Sequence, residues 1–315
     1  MKKIIFLVLL ATLLVVPAWA AVQVKCSVVQ IYQNGEWIDT DRILIRYDAT
    51  GEPNHVRAFA LDAQLTDFNS STPVFEDIND AALSADYWVY PGTIDINEAG
   101  LIEDIGTPIG DPCDHPDTLP GLDSNGVTLE MGSLYEGEAN APDPCGMLIE
   151  LVVDDDCNII ISENVCRGGV VSEGAGSKAD PCLPSEKSVR IAPKDAATAA
   201  QWRSVGKPKC WLRFNNARQC YGDADGASQG LKKYWVSDND QQVVNAAWQK
   251  SYADMLDVNG NMRTITVGGK VVPWICADID HLPQGLKKYR VSDNDQIIVN
   301  TYWQQQNGPA ANCDP

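Results

Sequence analysis

The chain is poor in positive charge and in histidine, and after its first twenty residues it has no apolar run long enough to span a bilayer. Each shortage narrows its chemistry. Against 24 lysines and arginines stand 43 aspartates and glutamates, which excludes the basic surface by which proteins hold nucleic acid. His55, His115 and His281 are scattered, with no serine or cysteine motif beside them as a nucleophilic triad requires. No two cysteines have zinc-site or redox Cys-x-x-Cys spacing. Nothing places two carboxylates at a glycosidase separation, so a non-catalytic protein is expected.

The apolar run at the start is itself too short to span a bilayer. Lys2 and Lys3 precede Ile4 to Val16, and Ala18-Trp19-Ala20 offers a small-x-small cleavage site. This pattern predicts a signal peptide over residues 1–20 and a secreted, extracellular or cell-surface product. Ten cysteines follow it, and an even number in an exported chain favours disulfides. Cys157 with Cys166, and Cys210 with Cys220, are candidate local pairs. Without Lys2 and Lys3, 22 basic residues face the 43 acidic ones, a balance suited to a calcium-rich exterior.

From residue 21 to about 174 short segments rich in β-branched and aromatic residues alternate with turn signals such as Asn34-Gly35, Pro91-Gly92 and Asn125-Gly126. No convincing long amphipathic helix separates them, so an all-β sandwich is expected. Trp88 and Tyr90, alternating on one strand, would share a face on which a polysaccharide could stack. Residues 175–209 gain Gly, Ser, Ala, Pro and Lys and read as a linker, with a short helix over Ala196 to Trp202. Asp154-Asp-Asp156 reads as a turn between strands.

The second half is built on a duplication. DADGASQGLKKYWVSDNDQQVVNAAW from Asp223 is followed 55 residues later by DIDHLPQGLKKYRVSDNDQIIVNTYW from Asp278. Each copy runs from an Asp-x-Asp pair to a Ser-x-x-Asp capping box and an apolar helical pattern. Calcium takes six to eight oxygen ligands, so carboxylates gathered by a turn are what it needs. In the first copy Asp223, Asp225 and Asp240 supply carboxylates, Tyr234 a main-chain carbonyl and Ser237 a hydroxyl or a bound water. Asp278, Asp280, Asp295, Tyr289 and Ser292 repeat the set, giving two expected Ca2+ sites. Ser228, Gln229 and Gln284 are candidates for the middle ligand. Between the copies, Thr264 to Val272 looks like a hairpin around Gly268-Gly269, read as a spacer.

These residues resemble the dockerin domain, two calcium loops each followed by a helix and related by an approximate two-fold axis. The twelve-residue loop of an EF-hand is absent. The likeness is to a longer-looped bacterial variant, carried by Cys220-Tyr-Gly-Asp-Ala-Asp-Gly226 and Gly206-Lys-Pro-Lys-Cys-Trp211. In the first half His55 to Asp62, Gly126 to Leu134, Gly146 to Val153 and Arg167 to Val171 resemble the strands of cohesin-like jelly rolls. The resemblance implies a multidomain chain: a cohesin-like jelly-roll sandwich over 21–174 and a small, mainly α, dockerin-like calcium-binding module over 210–315. It further implies a cohesin-like partner domain, in its own or another chain, met by the first turns of the two helices. The matching positions are Asp238, Asn239, Asn245, Asp293, Asn294 and Asn300, acidic or amide residues rather than the family's hydroxyl pair. Lys232-Lys233 and Lys287-Lys288 read as solvated loop residues able to touch an acidic partner.

Overall fold

The computed structural model describes residues 22–33, 35–68, 71–79, 88–89, 95–96, 102–104, 119–132, 141–164, 169–172, 178–179 and 181–305. The expected signal peptide, Tyr90, Cys113, Cys166 and Cys313 lie outside them, as does the side chain of Trp88.

The first half is mostly β-sheet. Its strands are β1 (Val22–Gln33), β2 (Glu36–Asp48), β3 (Val56–Asp67), β4 (Phe75–Asn79), β5 (Trp88–Val89), β6 (Asp95–Ile96), β7 (Ile102–Asp104), β8 (Gly126–Gly132), β9 (Cys145–Val153), β10 (Cys157–Glu163), β11 (Val170–Ser172), β12 (Lys178–Ala179), β13 (Pro181–Cys182) and β14 (Lys187–Val189). One sheet has the order β13-β1-β2-β9-β4. In the other, β12-β11-β3-β10-β14, strand β3 also pairs with β8, and β8 with β5. β6 and β7 form a separate pair. Alternation puts Val22, Val24 and Cys26 of β1 inward, with Ile43, Ile45 and Tyr47 of β2. They meet Phe59, Leu61, Ala63 and Leu65 of β3 in one apolar core between the sheets, which is the arrangement of a β-sandwich.

The stretch expected to be a linker is built into the fold. β13 pairs in parallel with β1, and β14 pairs antiparallel with β10, so residues 181–189 complete both sheets. Helix α1 (Ala196–Ser204) follows, capped by Asp195 and anchored by the fully buried Trp202. These strands are two or three residues long and take their order from neighbours rather than from their own sequence.

The second half packs around a core of its own. It holds α2 (Asp238–Ala247), the hairpin β15 (Thr264–Val267) and β16 (Lys270–Pro273), and α3 (Asp293–Tyr302). The hairpin turns through Gly268 and Gly269, both at positive φ, as a two-residue loop requires. It is more than a spacer, because Val267 and Val272 enter the second core and the Lys270 ammonium donates to the Asp225 carbonyl. A disulfide joins Cys210 to Cys276, Cα atoms 5.8 Å apart, so the expected Cys210–Cys220 pairing is wrong. Cys220 is itself disulfide-bonded. Cys157, expected to pair with Cys166, is a free buried thiol that burial pushes up to about 12.

The halves meet across the β9–β10 turn. Asp154-Asp-Asp156 is that turn, and it also clasps the second half. Asp155, fully buried, takes the Arg203 guanidinium through Nε at 2.9 Å and Nη2 at 2.8 Å. Asp154 takes Lys207 at 2.7 Å, and Asp156 accepts the amides of Ile191 and Ala192. Replacing one partner of a buried pair strands the other charge, at about 3–5 kcal/mol. Asp155→Ala is expected to cost about 3 kcal/mol or more, read as a lower urea midpoint, whereas substitution of the exposed Asp238 should shift the midpoint little.

Candidate metal centres

Asp223 and Asp225 stand in the loop before α2, and Asp240 lies in the first turn of that helix. One carboxylate oxygen from each comes within 4.8 Å of the others. Oxygens on one calcium ion lie about 2.3–2.6 Å from it and so at most about 5 Å apart. Asp240 makes the gathering possible. Its Oδ2 accepts the Ser237 amide at 2.8 Å and hydroxyl at 3.2 Å, closing the capping box. Its Oδ1 accepts the amides of Ala224 and Asp225 at 2.8 and 3.2 Å. One side chain thus caps its helix and pins the loop above it. Asp223 Oδ1 accepts the Gly226 amide at 2.7 Å, while Asp223 Oδ2 is buried with no hydrogen-bond partner. An orphaned buried carboxylate oxygen beside two other carboxylates is what a bound cation would satisfy.

The second copy repeats the cluster with Asp278, Asp280 and Asp295. Asp295 bonds Ile279, Asp280 and Ser292 as Asp240 bonds their counterparts, and Asp278 Oδ1 is again buried and unpartnered. One difference is chemical. Where the first copy has Trp235, the second has the buried Arg290, whose Nη1 lies 3.2 Å from Asp278 Oδ2 and whose Nη2 donates to Gln201 of α1 at 2.7 Å. A fixed guanidinium at a ligand competes with any cation for that charge. His281 is half-buried. It stacks on Trp211 with ring centroids 4.0 Å apart and meets the Gln219 side chain through Nε2. It stands at φ +57° where the first copy has Gly226 at +64°, and those contacts offset the strain of that backbone.

The remaining candidates are distributed differently. Ser237 and Ser292 are N-caps. The carbonyls of Tyr234 and Tyr289 accept the amides of Gln229 and Gln284, both at 2.7 Å, closing a small turn in each loop. Gln229 and Gln284 reach Asp225 and Asp280 through their amide nitrogens. Asn239 and Asn294, expected at a partner surface, donate to the same two carboxylates at 3.1 and 3.2 Å. Asn245 and Asn300 are exposed and accept from Gln241 and Gln296, and Asp238 and Asp293 are exposed in the first helical turns. Gln241 and Gln296 bond each other reciprocally, at 2.8 and 2.7 Å, on the internal two-fold. The Gln249 amide bonds the Val291 carbonyl, and the Gln304 amide bonds that of Val236. Sequence reasoning missed Arg290, whose only signal was a charged residue replacing Trp235 between otherwise matched loops.

No family model matches the chain, and no curated protein matches it. Among solved structures, a chain from the crystal structure of a CaDoc0917 variant with CaCohA2 at pH 5.5, a dockerin–cohesin complex, aligns over 54% of this chain and 99% of its own, at 10% identity and a TM-score of 0.29. Among the described residues no helix is long and apolar enough to cross a membrane.

Burial, then repulsion within the cluster, raises these carboxyls: Asp223 to about 8, Asp240 to about 7 and Asp295 to about 6. Asp278 is also raised, by burial first, with Arg290 opposing. A carboxyl raised on folding holds its proton more tightly folded than unfolded, so its stabilisation is complete below about pH 4 and is lost as pH climbs through the folded value. In chelator, the melting temperature of residues 191–305 should therefore fall between about pH 4 and about pH 8. Excess calcium should flatten or invert that fall, since bound metal favours the anions. Parallel pH profiles with and without calcium, followed by tryptophan fluorescence, would contradict a shared metal cluster.

Proposed function

We propose that this is an exported, non-catalytic assembly protein whose C-terminal half is a calcium-stabilised docking module of dockerin type. The observation that carries the reading is the twofold occurrence of three gathered carboxylates, one buried oxygen in each cluster lacking a partner. Asp223, Asp225 and Asp240 would hold one Ca2+, and Asp278, Asp280 and Asp295 another. Bound calcium supplies the positive charge that lets these carboxylates lie together ionised. The N-terminal sandwich is the cohesin-like body, and the partner is a cohesin-like domain. Asp238, Asp293, Asn245 and Asn300 remain available on the helices for that contact, whereas Asn239 and Asn294 face the clusters.

A second reading, in which the sandwich binds polysaccharide, is favoured by Tyr32 and Trp37. The two rings pair across β1 and β2 at 5.1 Å and are 62% and 66% exposed, and Trp37 lines a cleft with Arg190, Arg213 and Asp39. Stacking on such rings is a common way to hold a sugar face.

The two readings separate in the laboratory. Calorimetric titration of calcium should give two unequal steps, the weaker lost in Asp295→Ala and the stronger in Asp240→Ala, because Arg290 already engages Asp278. At a thousandfold excess over Kd, each ion should add about 4 kcal/mol, and chelation should loosen the second half while the sandwich stays folded. Absence of any calcium heat would sink the first reading. Saturable binding to soluble polysaccharide that is lost in Trp37→Ala would support the second.

A further inference from the structure

Each loop carries a small turn whose first residue, Gln229 or Gln284, reaches a cluster carboxylate while its tip points away from it. In the first copy Gln229 and Tyr234 exchange amide bonds at 2.7 and 2.9 Å, and the Lys233 amide closes on the Gly230 carbonyl at 3.1 Å. Gln284, Tyr289, Lys288 and Gly285 repeat all three distances. Gly230 and Gly285 stand at φ +68° and +66°. Leu231 and Leu286, at the tips, are each 105% exposed. Lys232, Lys233, Lys287 and Lys288 are exposed beside them, and none makes an ion pair with a described residue.

The two copies have diverged at other exposed positions: Ser228 corresponds to Pro283, and Gln242 to Ile297. The other matched exposed side chains, Asp238 with Asp293 and Asn245 with Asn300, lie on the two helices and not on these tips. Gln-Gly-Leu-Lys-Lys-Tyr is identical in both, although its leucines are fully exposed and its lysine side chains make no ion pair with a described residue. Two fully exposed leucines, each beside two ammonium groups, are repeated at the same place in both copies.

The charge of the chain names the occupant. Residues 22–190 hold 31 acidic and 8 basic residues, and residues 191–315 hold 12 acidic and 14 basic. Six of those twelve are gathered in the carboxylate clusters, and Lys194, Arg203, Lys207, Lys209, Arg213 and Arg290 are paired with carboxylates, so the cations left unpaired among the described residues of the second half include the four tip lysines, while the sandwich is strongly anionic. We propose that the Leu-Lys-Lys tips dock onto the sandwich of a second copy of this chain. The contact is heterologous, one region meeting a different one, and each molecule presents two tips. The lysines steer and pair with carboxylates while the leucine is buried on contact.

Sedimentation velocity on the full chain at low ionic strength tests this. The wild type should gain mass with concentration, and two variants should lose the gain: one with Lys232, Lys233, Lys287 and Lys288 all changed to Glu, the other Leu231→Ser with Leu286→Ser. Each should weaken association by on the order of tenfold or more. The tips bury nothing, so unchanged melting curves should confirm that both variants fold. Zero-length carbodiimide cross-links between isotope-labelled and unlabelled copies should join the tip lysines to carboxylates of residues 22–190. A monomeric wild type, variants that associate like it, or cross-links confined to residues 191–315 would each overturn the proposal. So would a monomer that instead binds phosphatidylserine vesicles through its tips.

Discussion

The second half depends on two aspartates that reach backwards. Asp240 and Asp295 each accept the amides of two loop residues on one oxygen and those of their own N-cap on the other. The same carboxylate therefore starts a helix and closes the loop before it. This economy has an electrostatic cost, because the closed loop brings two further carboxylates beside the first in a place water barely reaches. The hydrogen bonds and the like charges come as a unit. The geometry is strong only when something positive, a proton or a cation, sits among them.

The two copies also lean on each other. Helices α2 and α3 meet at the Gln241–Gln296 amide pair, and the strand of chain leaving each helix bonds the residue that ends the other copy's loop, Gln249 to Val291 and Gln304 to Val236. Gly222 completes the fit, since a Cβ there would stand 3.1 Å from the Val299 Cα. Half of this arrangement would leave one loop end and one helix face bare, which is why a duplicated unit of this size needs its twin. The symmetry is broken at Arg290, which replaces part of what a bound ion would supply and ties the second loop to α1.

Much of this was legible in the residues. Strand alternation located the sandwich, the Ser-x-x-Asp boxes located both helix starts, and the Gly-Gly pair located the hairpin, because each is a local signal with a local cause. What escaped was non-local. β13 and β14 are too short to show a pattern and exist because β1 and β10 offer edges. Cys210 lies nearer in sequence to Cys220, yet it pairs with Cys276 because the fold, not the spacing, brings those Cα atoms together. Asp155 read as one acidic turn residue among three, and only the packing of α1 shows why it is buried. Within the loops, the acidic residues were readable as a set, but that Asn239 and Asn294 on the helices donate to Asp225 and Asp280 depends on distances no spacing reveals.

The hydrogen bond from the Gln304 amide to the Val236 carbonyl bears on how the molecule is made. A ribosome delivers the chain from its N-terminal end, so the first loop emerges complete in sequence long before its clasp exists. The same delay holds for Val22, whose parallel neighbour Pro181 arrives after most of the sandwich. Both halves therefore stay provisional until their last segments are released, and each passes through an interval in which an unfinished sheet edge or an open acidic loop is exposed to whatever shares its compartment.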